Sequence, residues 1–181
     1  MILLKQLQES TPIPAALQHI GNIPDDLKSE VCWVLWRAIK RDGKTSKVPW
    51  SVFDSPASST NAATWAAFDT VVMRFNDGYH AGLGFVFCAD GPFCGVDLDG
   101  CRNPQTGEID QWAVPWIEGL NSYTEISPSQ TGVKIFCRSS LSLKGINQKI
   151  DQPNLHGKEP GIEVYTSGRY FTVTGQVVTS C

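Results

Sequence analysis

The chain has 181 residues, 41% hydrophobic and 18% charged, which is enough for one domain to bury a core and far from the make-up of a disordered segment. Its net charge of −3 excludes a globally basic nucleic-acid binder. No apolar run approaches the roughly 18 residues of a membrane span, and the Met1-Ile2-Leu3-Leu4-Lys5 start lacks the basic-then-apolar order of a secretory signal.

The six cysteines, Cys32, Cys88, Cys94, Cys101, Cys137 and Cys181, are scattered and form no C-x-x-C pair. They predict reduced thiols in a cytoplasmic protein and argue against a structural zinc site.

Taken in chain order, residues 1–29 are broken by Thr11-Pro12-Ile13-Pro14 and Asn22-Ile23-Pro24 and read as a peripheral N-terminal segment. Residues 31–40 are β-branched and aromatic and predict a strand. Asp42-Gly43 marks a turn, and 47–53 returns as a second strand, at a sheet edge because of Pro49. Arg37, Lys40, Arg41, Lys44 and Lys47 thus ride on a hairpin, and Lys134, Arg138, Lys144 and Lys149 form a second set. Together they make up nine of the 15 basic residues, and local stripes of this kind bind phosphates without a basic total. Trp33, Trp36 and Trp50, at strand spacing, read as core before they read as a stacking platform.

After a Ser/Pro-rich loop at 54–61, Thr60 or Asn61 is placed to cap a helix carrying Trp65, Phe68, Val71, Val72 and Phe75, which Asn76-Asp77-Gly78 ends. Residues 81–88 and 93–99 read as a hairpin around Ala89-Asp90-Gly91-Pro92. A polar loop precedes a helix over 111–121, with Trp112, Trp116, Ile117 and Leu120 on one face. Strands follow at 123–126, 133–137, 161–165 and 170–174, and 138–160 reads as irregular. The mixture predicts an α+β domain with a mostly antiparallel sheet.

Three motifs carry chemistry. In Phe93-Cys94-Gly95-Val96-Asp97-Leu98-Asp99-Gly100, strand alternation sends Asp97 and Asp99 to one face. Two carboxylates held there repel unless a cation sits between them, and hard divalent ions take such oxygens. The loop Ser127-Pro128-Ser129-Gln130-Thr131-Gly132 has the hydroxyls and glycine of a phosphate-holding turn, with Lys134 on the same side as Gly132. Glu163 is a lone acid in an apolar strand, costly unless paired or metal-bound, and Arg169 follows it.

Their order and spacing over roughly residues 30–178 resemble the primase-polymerase (PrimPol) domain of the archaeo-eukaryotic primase superfamily, in the form found in phage and plasmid replication proteins. The resemblance implies a primase-type RRM-like sheet with a smaller α/β lobe: residues 30–75 as an N-terminal lobe and 81–178 as a metal- and nucleotide-binding lobe of a catalytic domain over 30–181. It implies template-dependent nucleotidyl transfer, as a DNA primase, a DNA polymerase or both, in phage, plasmid or mobile-element replication.

The residue roles also follow from the resemblance. Asp97, Asp99 and Glu163 would be catalytic and would hold two Mg²⁺ or Mn²⁺ ions. Ser127, Ser129, Thr131, Gly132, Lys134 and Arg169 would hold the nucleotide, and Lys40, Lys44 and Lys47 would bind DNA. The implied partners are a single-stranded DNA template with its primer, dNTP or NTP, and a replicative helicase; a membrane is not implied. Lys134 stands where many members have histidine, and lysine brings a point charge without imidazole's directed hydrogen bond. The alternative is a PrimPol-like module that binds single-stranded DNA or nucleotides with little or no synthesis. A metal-dependent nuclease could use the same acids, but the Ser/Thr-Gly-Lys loop and Arg169 favour triphosphate binding.

Overall fold

The computed structural model describes residues 17–41, 43–75, 78–139 and 145–179. The expected turns at Asp42 and Asn76-Asp77, the breaks at 11–14, Lys144 and Cys181 lie outside the described residues.

Two antiparallel sheets make up the framework. The first has the strand order β2-β1-β3-β9, formed by β1 (Trp33–Arg41), β2 (Lys44–Trp50), β3 (Gly82–Phe87) and β9 (Arg169–Val173). The second is five-stranded, β5-β6-β4-β8-β7, from β4 (Phe93–Asp99), β5 (Tyr123–Ile126), β6 (Val133–Arg138), β7 (Ile146–Lys149) and β8 (Gly161–Tyr165). Three short helices, α1 (Asp25–Lys28), α2 (Phe68–Phe75) and α3 (Val114–Leu120), complete an α+β fold with antiparallel sheets, as the element pattern predicts. Among the described residues no helix is long and apolar enough to cross a membrane.

Register explains where the core sits. Trp33 pairs with Phe85, Leu35 with Leu83, and Phe85 with Phe171, so their side chains leave one face of the first sheet. That face meets Phe93 and Phe136 of the second sheet and Phe68, Val71 and Phe75 of α2 in one cluster. The rings meet edge to face, as Phe87 and Phe171 do at 4.8 Å. Gly95 of β4 lets the sheets close: a Cβ there would fall within 2.6 Å of the Phe87 ring. A second cluster lies on the other face of the second sheet, where Val96, Leu98, Val133, Ile135 and Ile162 pack against Ala113 and Ile117.

The N-terminal segment contributes to this interior, since Leu17, Ile23 and Leu27 are buried in the first cluster. Trp33 is fully buried, with its indole N–H donated to Leu27 O at 3.2 Å, and Trp36 is buried too. Trp50 is half-buried beneath the Arg37 guanidinium at 4.2 Å.

Four local expectations differ from the structure. The strands expected as a hairpin at 81–88 and 93–99 do not pair: β3 lies between β1 and β9 and β4 between β6 and β8, so the turn at 89–92 carries the chain from one sheet to the other and lets Phe85, Phe87 and Phe93 meet in the core. α2 begins at Phe68 rather than at the Asn61 cap, because Trp33 and Ala66 exchange backbone hydrogen bonds of 3.1 and 2.9 Å and hold that segment extended. Asn61 instead caps a single 3-10 turn, accepting from Ala63 N at 3.1 Å. The helix expected over 111–121 is limited to α3, with Pro115 in its first turn and left-handed Asn121 at its end; Ile117 is its buried residue, while Trp116 and Leu120 are partly exposed. Within the stretch expected to be irregular, Ile146–Lys149 pairs with β8 as an edge strand, and its four exposed residues gave no apolar signal.

Candidate active site

The second sheet carries one polar row across all five strands. Glu125 of β5 lies opposite Lys134 of β6, Lys134 opposite Asp97 of β4, Asp97 opposite Glu163 of β8, and Glu163 opposite Asn147 of β7. Cross-strand partners project from the same face, so the five side chains stand side by side. Asp99 joins them two residues along β4, opposite Gly161, which has no side chain to fill the space. Val96 and Leu98 anchor the same strand from its apolar face, fixing which way the acids point.

This row opens on a cavity of about 410 Å³ between the second sheet and β9. Of the residues singled out in the sequence, Asp97, Asp99, Glu163, Ser127, Ser129, Lys134, Arg169 and Lys47 line it together. Thr131, Gly132, Lys40 and Lys44 are not among its lining residues. Lys40 and Lys44 sit at the far end of the β1–β2 hairpin, both exposed.

Each of the three acids has a partner, in the row or beside it. The Lys134 ammonium donates to Asp97 Oδ2 with both side chains nearly buried, and also stands 4.3 Å from the centroid of the Phe171 ring. Asp97 Oδ1 is buried and accepts no hydrogen bond. Lys158 Nζ meets Asp99 Oδ1 at 2.6 Å. Burial pushes the Asp99 carboxyl above the usual carboxylate range, and the neighbouring Asp97 charge adds to this, against the opposing bond from Lys158. Glu163 accepts from Asn147 Nδ2 and from the Tyr165 hydroxyl, each at 2.9 Å. Among the described residues no three His, Cys, Asp or Glu side chains gather around one point as a ready-made metal site. The donor set nonetheless suits a hard cation at Asp97 and Asp99: acceptor-only oxygens, mutual repulsion, and one buried oxygen without a partner.

The hydroxyl loop is built against the end of β4. Ser127 N donates to Gly132 O at 2.9 Å, Gln130 takes a left-handed φ of 65°, and Arg102 Nη1 donates to Gln130 O at 2.8 Å. Ser127, Ser129 and Thr131 form a chain of hydroxyl contacts, each 2.9 Å. Gly132 is required here because a Cβ would fall 2.5 Å from Leu98 O, so the loop lies directly on the backbone between the two aspartates.

The site includes residues that the motifs passed over. Lys158, Asn147, Tyr165 and Tyr170 line the cavity, and Glu125 ends the row. Glu125 carried the same signal as Glu163, a single acid inside an apolar strand. Lys158 carried none, because the stretch around it has no periodicity.

No family model matches the sequence. The chain is 32% identical over 149 residues to a protein named DNA Primase-polymerase from Nitratiruptor phage NrS-1, an alignment covering 80% of this chain and 19% of that protein. The chain therefore spans about one fifth of that relative's length.

Proposed function

We propose that this chain, which belongs with the phage primase-polymerase it is related to, supplies the nucleotidyl-transfer centre of such a protein: template-dependent addition of nucleotides to a primer on single-stranded DNA. The observation that carries this reading is the in-register facing of Asp97 and Glu163, with Asp99 beside them, on a cavity also lined by Ser127, Ser129, Lys134 and Arg169.

Asp97 and Asp99, with Glu163 across the strand, would hold Mg²⁺ or Mn²⁺, two ions in the full reaction. Such ions supply charge neutralisation at the transferred phosphate and a more acidic primer 3′-hydroxyl. The chain's own groups do the rest. Lys134 holds Asp97 in place from the next strand. Ser127 and Ser129 offer hydroxyl protons to phosphate oxygens, with Thr131 and Gly132 shaping the loop behind them. Arg169, seated 5.2 Å over the Tyr165 ring, presents a guanidinium fork to the same anion. Lys40 and Lys44, out on the hairpin, would follow the template backbone, and a replicative helicase is a further candidate partner in replication.

The bond between Lys134 and Asp97 favours a second reading, because an ammonium already neutralises the acid on which an ion would sit. On that reading the chain binds nucleotide or single-stranded DNA without synthesis. Primer extension separates the two. With Mg²⁺ or Mn²⁺ the wild-type chain should extend a primer, and Asp97→Asn or Asp99→Asn should lower extension by at least about tenfold to a hundredfold, the range seen for groups that merely support metal ligands. DNA or nucleotide binding without extension in wild type and variants alike would establish the binding module.

A further inference from the structure

We infer that Lys158 and Lys47 grip the polyphosphate of the incoming nucleotide from two sides of the cavity, Lys158 from the strap formed by residues 150–160 and Lys47 from β2. The inference rests on reading the cavity as a nucleotide site. It adds two residues whose part in that site neither motif spacing nor the relative's name supplies.

The strap is a built element. Ile150 N donates to Pro160 O at 3.0 Å and closes its base, and Ile150 packs on the second core cluster. His156 Nε2 meets Asp110 Oδ1 at 3.0 Å, and Asn154 Nδ2 donates to Glu159 Oε1 at 3.2 Å. Its backbone lies directly on the end of β4: Gly100 has a φ of 63°, and a Cβ there would fall 2.9 Å from Pro160 N. The strap thus holds the Lys158 ammonium at the rim of the acidic row, bonded to Asp99 but with its side chain half-exposed.

Lys47 faces the same space from the first sheet. Its backbone carbonyl accepts the Tyr170 hydroxyl at 2.6 Å, which ties β2 to β9 at the cavity wall. Its ammonium is held below the usual lysine range by desolvation first, then by repulsion from Lys134 and Lys158. Three ammonium groups and Arg169 therefore converge on one cavity whose acids are Asp97, Asp99 and Glu163. A divalent ion on Asp97 and Asp99 would release their lysines and leave the cations in excess. A compact polyanion is the ligand that relieves such repulsion. The single charges of a nucleic-acid backbone are spaced along an extended strand and suit an open groove, whereas this space is flanked by the strap and β9.

Equilibrium binding to the whole chain with Mg²⁺ tests this, using a fluorescent nucleoside triphosphate, the matching monophosphate and a single-stranded oligonucleotide. Lys158→Ala and Lys47→Ala should each weaken triphosphate binding about tenfold, the worth of one charge-assisted contact. Monophosphate and oligonucleotide affinities should stay within about twofold, and Lys158→Arg should restore most of the loss. Matching melting temperatures identify a folded variant; where Lys47→Ala fails to fold, Lys47→Met takes its place. Unchanged triphosphate affinity in both alanine variants overturns the inference while leaving the nucleotide site intact. Weakened oligonucleotide binding in place of triphosphate binding reassigns the two lysines to the template. A wild-type chain that binds no triphosphate overturns the nucleotide reading itself, and this inference with it.

Discussion

Glu125 shows how much a single side chain can store. It is fully buried, and its carboxylate accepts Thr174 N, Gly175 N and the Tyr123 hydroxyl, each within 2.9 Å. Burial outweighs these three donors and the Lys134 charge opposite, and pushes its pKa up to about 7 from 4.5. Between those values the folded chain keeps a proton that the unfolded chain has released. The stability this group contributes is therefore complete below about pH 4.5 and is lost as pH rises through about 7. The melting temperature should fall between pH 5 and pH 8. Glu125→Gln should flatten that fall, at a general cost of about 1–3 kcal/mol from mismatched donors. An equal fall in wild type and variant would remove Glu125 as its source. In the sequence this residue is one acid within the strand expected at 123–126, and no motif singles it out. Its partners Thr174 and Gly175 lie some fifty positions away, a distance no local pattern bridges.

At the scale of elements, alternation did most of the work that the sequence could do. It put Asp97 and Asp99 on one face and Val96 and Leu98 on the other, as the structure has them. It could not say which strands would flank β4, and so could not foresee that Lys134 and Glu163 stand directly beside Asp97. It also missed β7, whose four residues are exposed, and the strap, which Ile150 and Pro160 close at its base with no periodicity between them. Glycines divide along the same line. Gly95 looked like any other strand glycine, yet its bare Cα is where Phe87 and Phe171 cross between the sheets. Gly95→Ala should destabilise the chain by about 1–3 kcal/mol, the usual cost of overpacking. Gly119→Ala, with nothing within 4 Å in α3, should stabilise it by about 0.5–1 kcal/mol. Urea midpoints that move the two variants in the same direction would contradict this account of the inter-sheet contact.

The whole molecule is held together by how its two sheets share their ends. β9 belongs to the first sheet, but the chain that leaves it runs along β5 of the second: Ile126 N donates to Gln176 O at 2.7 Å and Val178 N to Thr124 O at 3.0 Å. Asn22 Nδ2 reaches the same tail, donating to Gly175 O at 3.1 Å. The segment after the last strand is therefore a clasp joining both sheets to the N-terminal part, although it has neither strong periodicity nor a motif to announce it. Deleting residues 174–181 should strip Glu125 of two donors and bare the β5 edge. The cost is at least about 2 kcal/mol, or roughly 4–8 °C in melting temperature for a domain of this size. A truncated chain that melts with the intact one would show that the clasp carries no load.

The polar row also has a consequence in time. Asp97 leaves the ribosome on β4, but Lys134 comes 37 residues later and Glu163 later still, and β3, made just before, joins the other sheet. At about 5–20 residues per second, the nascent acids spend on the order of seconds before a flanking strand exists. During that interval β4 is an apolar strand with both edges open, a template for whatever extended segment is nearest. Synthesis rate and chaperone supply should therefore govern the yield of folded chain more than the contacts of the finished polar row do.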